Sequence, residues 1–181
     1  MTINFKIEKN DFLIHQLYLA SKSQRIKKKR LRSRVLVPII YIGLGLVFLY
    51  GNNYFPMSLV FTFSILWFLF YPVWERKRYI NYYKEFIEEN YKERLGRISV
   101  LTFENDFIDV KEDGIESKIA TKEIEEIVEI PSLLLIRFKT GQSFVLPKDK
   151  ISDLDKLRER LKELTTYLNI KYTIEEKWEW K

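Results

Sequence analysis

The sequence contains no cysteine, which excludes disulfides, thiolate metal sites and cysteine nucleophiles. It has a single histidine, His15, so neither a histidine-based triad nor a multi-histidine metal site can be built within one chain. His15 reads as a polar position on a helix. Glycine is sparse, six in 181 residues, and forms no phosphate-cradling loop and no GxSxG. The acidic stretch ENDFIDVKEDG invites a calcium reading. A calcium loop begun at Asp109 would, however, put Lys111 and Ala120 at its third and twelfth positions. Glu125-Glu126 and Glu175-Glu176 are adjacent pairs, and on a strand adjacent side chains point to opposite faces. No catalytic residue, cofactor or metal site is read from the chain, and no enzymatic activity is expected.

The most informative absence is of charge. Net charge is +6 and mean hydropathy is −0.21, but these averages conceal residues 35–74, which contain no Asp, Glu, Lys or Arg. VLVPIIYIGLGLVFLYGNNY and, after Phe55-Pro56, MSLVFTFSILWFLFYPVW flank Gly51-Asn52-Asn53. As helices they would reach roughly 27–30 Å, close to the hydrocarbon thickness of a bilayer. Two segments apolar on every face are hard to hide in a soluble fold of this size. A membrane α-helical hairpin over 35–74 is therefore predicted. Pro38 is expected in the first turn of its span and Pro72 at the exit of the second. Gly43 and Gly45 would permit close helix approach, without GxxxG spacing. With no Asp, Glu, Lys, Arg or His in either span, a transporter or pump is disfavoured.

Charge is concentrated just outside. RIKKKRLRSR supplies Arg25, Lys27, Lys28, Lys29, Arg30, Arg32 and Arg34, and Arg76, Lys77 and Arg78 follow the second span, while the connecting loop has none. Short-loop Lys and Arg stay on the cytoplasmic side. This predicts a multi-pass inner-membrane protein with both termini cytoplasmic, its basic residues touching the bilayer's anionic headgroups. Nucleic acid is the disfavoured partner for the same residues, and a signal peptide does not fit a first apolar run that starts late and is followed by another. Tyr50, Tyr54 and Phe55 at one boundary, with Tyr71 and Trp74 at the other, suit interfacial aromatic belts.

The remaining chain divides into residues 1–34 (a strand and a basic amphipathic helix), 75–96 (a helical stalk) and 97–181. In INFKIEK, Ile3, Phe5 and Ile7 alternate with polar residues, a half-buried strand that needs a sheet elsewhere. Asn10 is the expected cap of a helix running through the basic region. Tyr79, Tyr83, Phe86, Ile87 and Tyr91 form an aromatic packing stripe, and Gly96 should end the stalk. From Ile98 the period becomes two, with turns at Asn105-Asp106, Asp113-Gly114, Pro131-Ser132 and Thr140-Gly141. SDLDKLRERLKELTTYL then starts a helix, with Ser152 as N-cap and a stripe of Leu154, Leu157, Leu161, Leu164 and Leu168. The expected fold is a membrane hairpin plus an α+β cytoplasmic PH-like domain, an antiparallel sheet closed by one C-terminal helix. The tail IKYTIEEKWEWK would add an edge strand. Trp178 and Trp180 would then face one way, either packing on the fold or contacting a partner.

The chain resembles the YcxB-like family of bacterial membrane proteins. The resemblance rests on the opening strand with Asn10-Asp11-Phe12, the basic run before two spans, Asp113-Gly114-Ile115, EIEEIVE and Val145-Leu146-Pro147-Lys148. It implies two spans and a cytoplasmic PH-like domain, with no common activity to carry over. Members often carry a Trp just before the EIEEIVE segment, where this chain has Ala120-Thr121-Lys122. The expected function is non-enzymatic: the cytoplasmic domain binds a protein or lipid-headgroup partner. An envelope-protecting immunity or stress role paired with a toxin is the alternative. Homo-oligomerisation stays open.

Overall fold

A computed structural model describes residues 1–92, 95–112 and 114–181. The first elements are β1 (Thr2–Lys6), α1 (Lys9–Lys22), α2 (Gln24–Tyr50) and α3 (Tyr54–Asn90). Strands β2 (Ile98–Phe103), β3 (Phe107–Glu112), β4 (Ile115–Ala120), β5 (Ile124–Glu129), β6 (Leu133–Phe138) and β7 (Ser143–Pro147) follow. The chain closes with α4 (Leu154–Leu168) and β8 (Lys171–Ile174). Two compact units result: Met1–His15 with Lys84–Glu179, and Gln16–Tyr83 with Trp180–Lys181.

The first unit is β-rich. One sheet, wholly antiparallel, runs β1-β2-β3-β4, and a second sheet runs β7-β6-β5-β8. The opening strand finds its sheet here, Ile3 opposite Leu101 and Phe5 opposite Ser99. Alternation sends Ile3, Phe5, Leu101, Phe103 and Ile108 to the core, where Leu134 and Ile136 of the second sheet join them. The leucine stripe behaves as read: Leu157, Leu161 and Leu164 are buried in that core, and Leu154 and Leu168 pack at its margin.

Several expectations need correction. The second sheet is not purely antiparallel, because β8 runs parallel to β5; parallel neighbours need a long crossover, which α4 supplies. The cap of α4 is Asp153, whose carboxylate accepts from the Lys156 N–H at 3.1 Å, rather than Ser152. At the far end Asn169 takes the left-handed conformation, φ 53°, and turns the chain into β8. Asn10 lies inside α1; there the Asp11 carboxylate takes the Glu8 N–H at 2.8 Å. The stalk helix stops at Asn90 rather than Gly96, which lies before β2 with φ 77°. Asp113, half of one expected turn and part of the resemblance, lies outside the described residues, as do residues 93 and 94 of the stalk.

The second unit is helical. The basic helix is interrupted at Ser23, whose Oγ accepts from the Ile26 N–H and caps α2. Pro38 therefore lies well inside α2 rather than in its first turn, and Pro72 lies inside α3, which continues to Asn90. The two helices meet where side chains are small. Ser64 Oγ donates to the Pro38 carbonyl at 3.3 Å, and a Cβ on Gly45 would stand 2.5 Å from the Phe61 ring. Gly45 is thus used for approach within the hairpin; Gly43 has nothing within 4 Å.

Candidate membrane-surface site

Helices Gln24–Tyr50 and Tyr54–Asn90 are long and apolar enough to cross a membrane, and only 11% of each apolar window is buried within the protein. A soluble core helix would have its apolar side chains covered. Here Ile40, Leu46, Phe63 and Ile65 point outward, while Pro38, Gly45, Ser64 and Glu75 are buried.

Eight of the ten basic residues flanking the apolar runs are exposed: Arg25, Lys27, Lys28, Lys29, Arg32, Arg76, Lys77 and Arg78. Arg30 and Arg34 are half-buried. Arg30 Nε donates to Glu75 Oε2 at 3.0 Å and Nη2 to the Lys181 carbonyl oxygen at 2.6 Å. Its guanidinium lies 4.7 Å from the Trp180 ring centroid and 5.8 Å from that of Tyr79. Glu75, just past the charge-free run, is 6% exposed and also accepts from Tyr71 OH at 3.1 Å. A buried carboxylate is tolerable because a guanidinium and a phenol neutralise and solvate it. Arg34 lies over Phe68 at 4.4 Å. The ten cations thus divide into eight exposed ones, of which Arg78 also lies over the Trp74 ring at 5.3 Å, and two arginines that brace the hairpin.

The tryptophan pair does not share a strand, since β8 ends at Ile174. Trp180 is buried, 5.6 Å from Tyr79 in an edge-to-face contact, with its indole N–H toward the Arg76 carbonyl at 3.5 Å. Trp178 is half-buried, its backbone N–H on Glu175. The packing alternative thus describes Trp180. The stalk stripe packs likewise: Ile87 is fully buried and Tyr91 meets Phe12 at 4.9 Å.

The β-rich unit holds a charged centre that local sequence patterning does not reveal. Glu129, at the end of β5, is 5% exposed. It accepts from Lys148 Nζ at 2.8 Å, Arg158 Nη2 at 2.6 Å and Tyr172 OH at 2.9 Å. Burial alone would raise its carboxyl; the bonds from Arg158, Lys148 and Tyr172 outweigh that and hold it at about 2. Such a carboxylate stays ionised and is poorly suited to donating or accepting protons near neutrality. A second pair joins Lys150 Nζ to Asp11 at 2.7 Å, with Glu8 at 3.3 Å. His15 is 8% exposed with neither ring nitrogen hydrogen-bonded. Burial, then Arg137, lowers its pKa to about 4. Among the described residues no group of three or more His, Cys, Asp or Glu could hold a metal ion.

These elements, from the last residue of β2 into α4, decide what the chain is similar to. Residues 103–161 match the family model described as YcxB-like protein. The YcxB-like segment spans β3 to β7, so the resemblance read from EIEEIVE and Val145-Leu146-Pro147-Lys148 is shown over this stretch. Within the Ala120-Thr121-Lys122 stretch of this YcxB-like segment, Thr121 is buried and ties the preceding turn: its Oγ1 donates to the Asn105 carbonyl at 2.9 Å and its N–H to that of Asp106 at 2.8 Å. No curated protein and no solved structure matches the chain.

Proposed function

We propose that the protein is a bacterial inner-membrane protein that crosses the bilayer twice with both termini in the cytosol. Its β-rich unit is a PH-like module that binds a protein partner without catalysis. The observation that carries the membrane reading is the inverted hairpin, with Ile, Leu and Phe outward and Ser64, Glu75 and Gly45 inward. Water would penalise that arrangement and hydrocarbon would favour it. The eight exposed cations, all beyond the charge-free residues, support contact with anionic headgroups and a cytosolic location for both ends. Four strands, then three, then a helix give the PH-like order, with a further parallel strand after the helix. The binding role, rather than a catalytic one, is supported by the engagement of the buried acids: Glu129 and Asp11 serve ion pairs within the fold. Exposed Ile98 and Phe107 on the outer face of the first sheet offer apolar contact area.

The test is alkaline carbonate washing of membranes holding the native chain, with a reporter fused after Lys181. Retention in the membrane with a cytosolic reporter is expected; release of the protein or a periplasmic reporter would overturn the reading. For the module, Ile98→Glu with Phe107→Glu in the full chain should reduce the partners recovered after detergent solubilisation. An unchanged set would count against this face.

A further inference from the structure

We propose that the β4 edge pairs antiparallel with β4 of a second copy of this chain, centred on Ser117. This gives the binding module proposed above a self-pairing edge distinct from its Ile98 and Phe107 face, and so rests on that reading of the β-rich unit, though not on the bilayer. β4 is the last strand of its sheet, and no other strand pairs along its outer edge among the described residues. Ile115, Glu116, Ser117 and Lys118 are all exposed. An open edge is a template for another strand unless proline, a bulge, a cover or charged side chains blunt it. The charges on β4, Glu116 and Lys118, are exposed and of opposite sign, so they repel a foreign strand of like pattern but complement a second copy. The register of β4 with β3 has no bulge, and the strand contains no proline.

What selects a second copy is the sequence IESKI. Read antiparallel against itself about Ser117, it sets Glu116 opposite Lys118 of the second copy, Ile115 opposite Ile119, and Ser117 opposite Ser117. Directly opposed residues share a face. Within the chain β3 already lays charges on that face, with Lys111–Glu116 at 3.0 Å and Lys118–Asp109 at 3.6 Å. Pairing would extend these into two four-strand rows, each reading Asp109, Lys118, then Glu116 and Lys111 of the second copy, in alternating sign. On the other face exposed Ile115 would gain Ile119 of the second copy beside Ile108 of that copy, the residue registered with its Ile119. Register is fixed as well. A two-residue slip opposes Glu116 to Glu116 or Lys118 to Lys118, and like charges directly opposite are destabilising. A one-residue slip turns the inner face of one copy to the outer face of the other. The contact is isologous and closes as a dimer. One short edge lies at the weak, exchanging end of interfaces, so trapping is the appropriate readout.

The chain has no cysteine, so Ser117→Cys introduces the sole thiol. Opposed strand residues stand about 4.5–5.5 Å apart at Cα, within the roughly 4.4–6.8 Å that a disulfide spans. In native membranes under mild oxidant, S117C should form dimers about tenfold faster than Asn4→Cys, an exposed position on β1, because only the former thiols are held together. Adding Lys118→Glu, or separately Glu116→Lys, should abolish the advantage. Mixing differently tagged S117C/K118E and S117C/E116K chains should restore it as a heterodimer, a result that misfolding of either variant could not give. Equal rates for S117C and N4C, no effect of charge reversal, or trapping of a different protein by the S117C thiol would overturn self-pairing. Retention after carbonate washing would in those cases leave the membrane reading standing, and release with cross-linking intact would remove the membrane reading alone.

Discussion

Isoleucine, leucine and phenylalanine build both units, in opposite positions. In the β-rich unit Ile127, Leu134, Ile136 and Leu146 are fully buried, and Lys111 and Lys118 lie outside. In the hairpin Ile40, Phe63 and Ile65 lie outside, and Ser64 and Glu75 lie within. On the proposed membrane reading, a single polypeptide obeys one rule in two solvents. Apolar side chains are matched to whatever surrounds the unit, and polar groups are placed where partners exist, Glu75 with Arg30 and Tyr71 in one unit, Glu129 with Lys148, Arg158 and Tyr172 in the other.

A comparable truncation in each unit is the sharpest way to break the comparison. Leu134→Ala opens a cavity in a packed core and should cost about 2–5 kcal/mol, read as a large fall in Tm of the detergent-solubilised protein. Ile65→Ala removes a side chain that faces outward and leaves no cavity; its cost should stay under about 1 kcal/mol, with membrane retention unchanged. Equal falls would mean that the hairpin surface is a covered core and that the two-solvent account is wrong.

Glu129→Gln should come next, at about 2–3 kcal/mol, since it leaves Lys148 and Arg158 facing a neutral group. Acid should mimic it. Folding depresses this carboxyl from 4.5 to about 2, so the stability it contributes is complete above pH 4.5 and is lost as pH falls through about 2. Tm measured across that window should drop more steeply in the native chain than in the Gln variant; parallel curves would remove Glu129 from the account.

The strands are legible because a half-buried strand writes its period of two into the sequence, as in ISVLTF and FIDVKE, and the hairpin is legible because forty residues carry no Asp, Glu, Lys or Arg. What alternation lacks is the identity and direction of a strand's partner, so the parallel pairing of β8 with β5 has no local signature. Alternation also runs past its own strand: the tail keeps the period to Trp180, but pairing stops at Ile174. Pro38 lies deeper than its span suggests because the helix starts at Ser23, before a run of Lys and Arg that propagates helix well. Ser152 and Asp153 are both capping types one residue apart, and only geometry chooses between them. Glu129 gives no local signal because its partners come from the turn after β7, from α4 and from β8, up to 43 residues away. A third glutamate in a strand already holding two gives no hint of burial, and the register shift between Ile124 and Glu126 breaks the alternation that would flag it.

His15 supplies the smallest expected effect. It lies on the same helix as Asp11, yet it is buried with neither ring nitrogen hydrogen-bonded. Folding lowers its pKa from 6.5 to about 4, through burial and then through Arg137. The unfolded chain therefore binds the proton first, and stability is full above pH 6.5 and is lost as pH falls toward 4. His15→Leu, of similar bulk and needing no partner, should change stability by less than about 1 kcal/mol at pH 7. At pH 5 it should exceed the native chain by about 1–2 kcal/mol, a window separate from that of Glu129. Denaturant midpoints at the two pH values read the difference directly. A Leu variant whose advantage does not grow between pH 7 and pH 5 would show that the imidazole is protonated without cost, and therefore that it is not enclosed in an apolar setting.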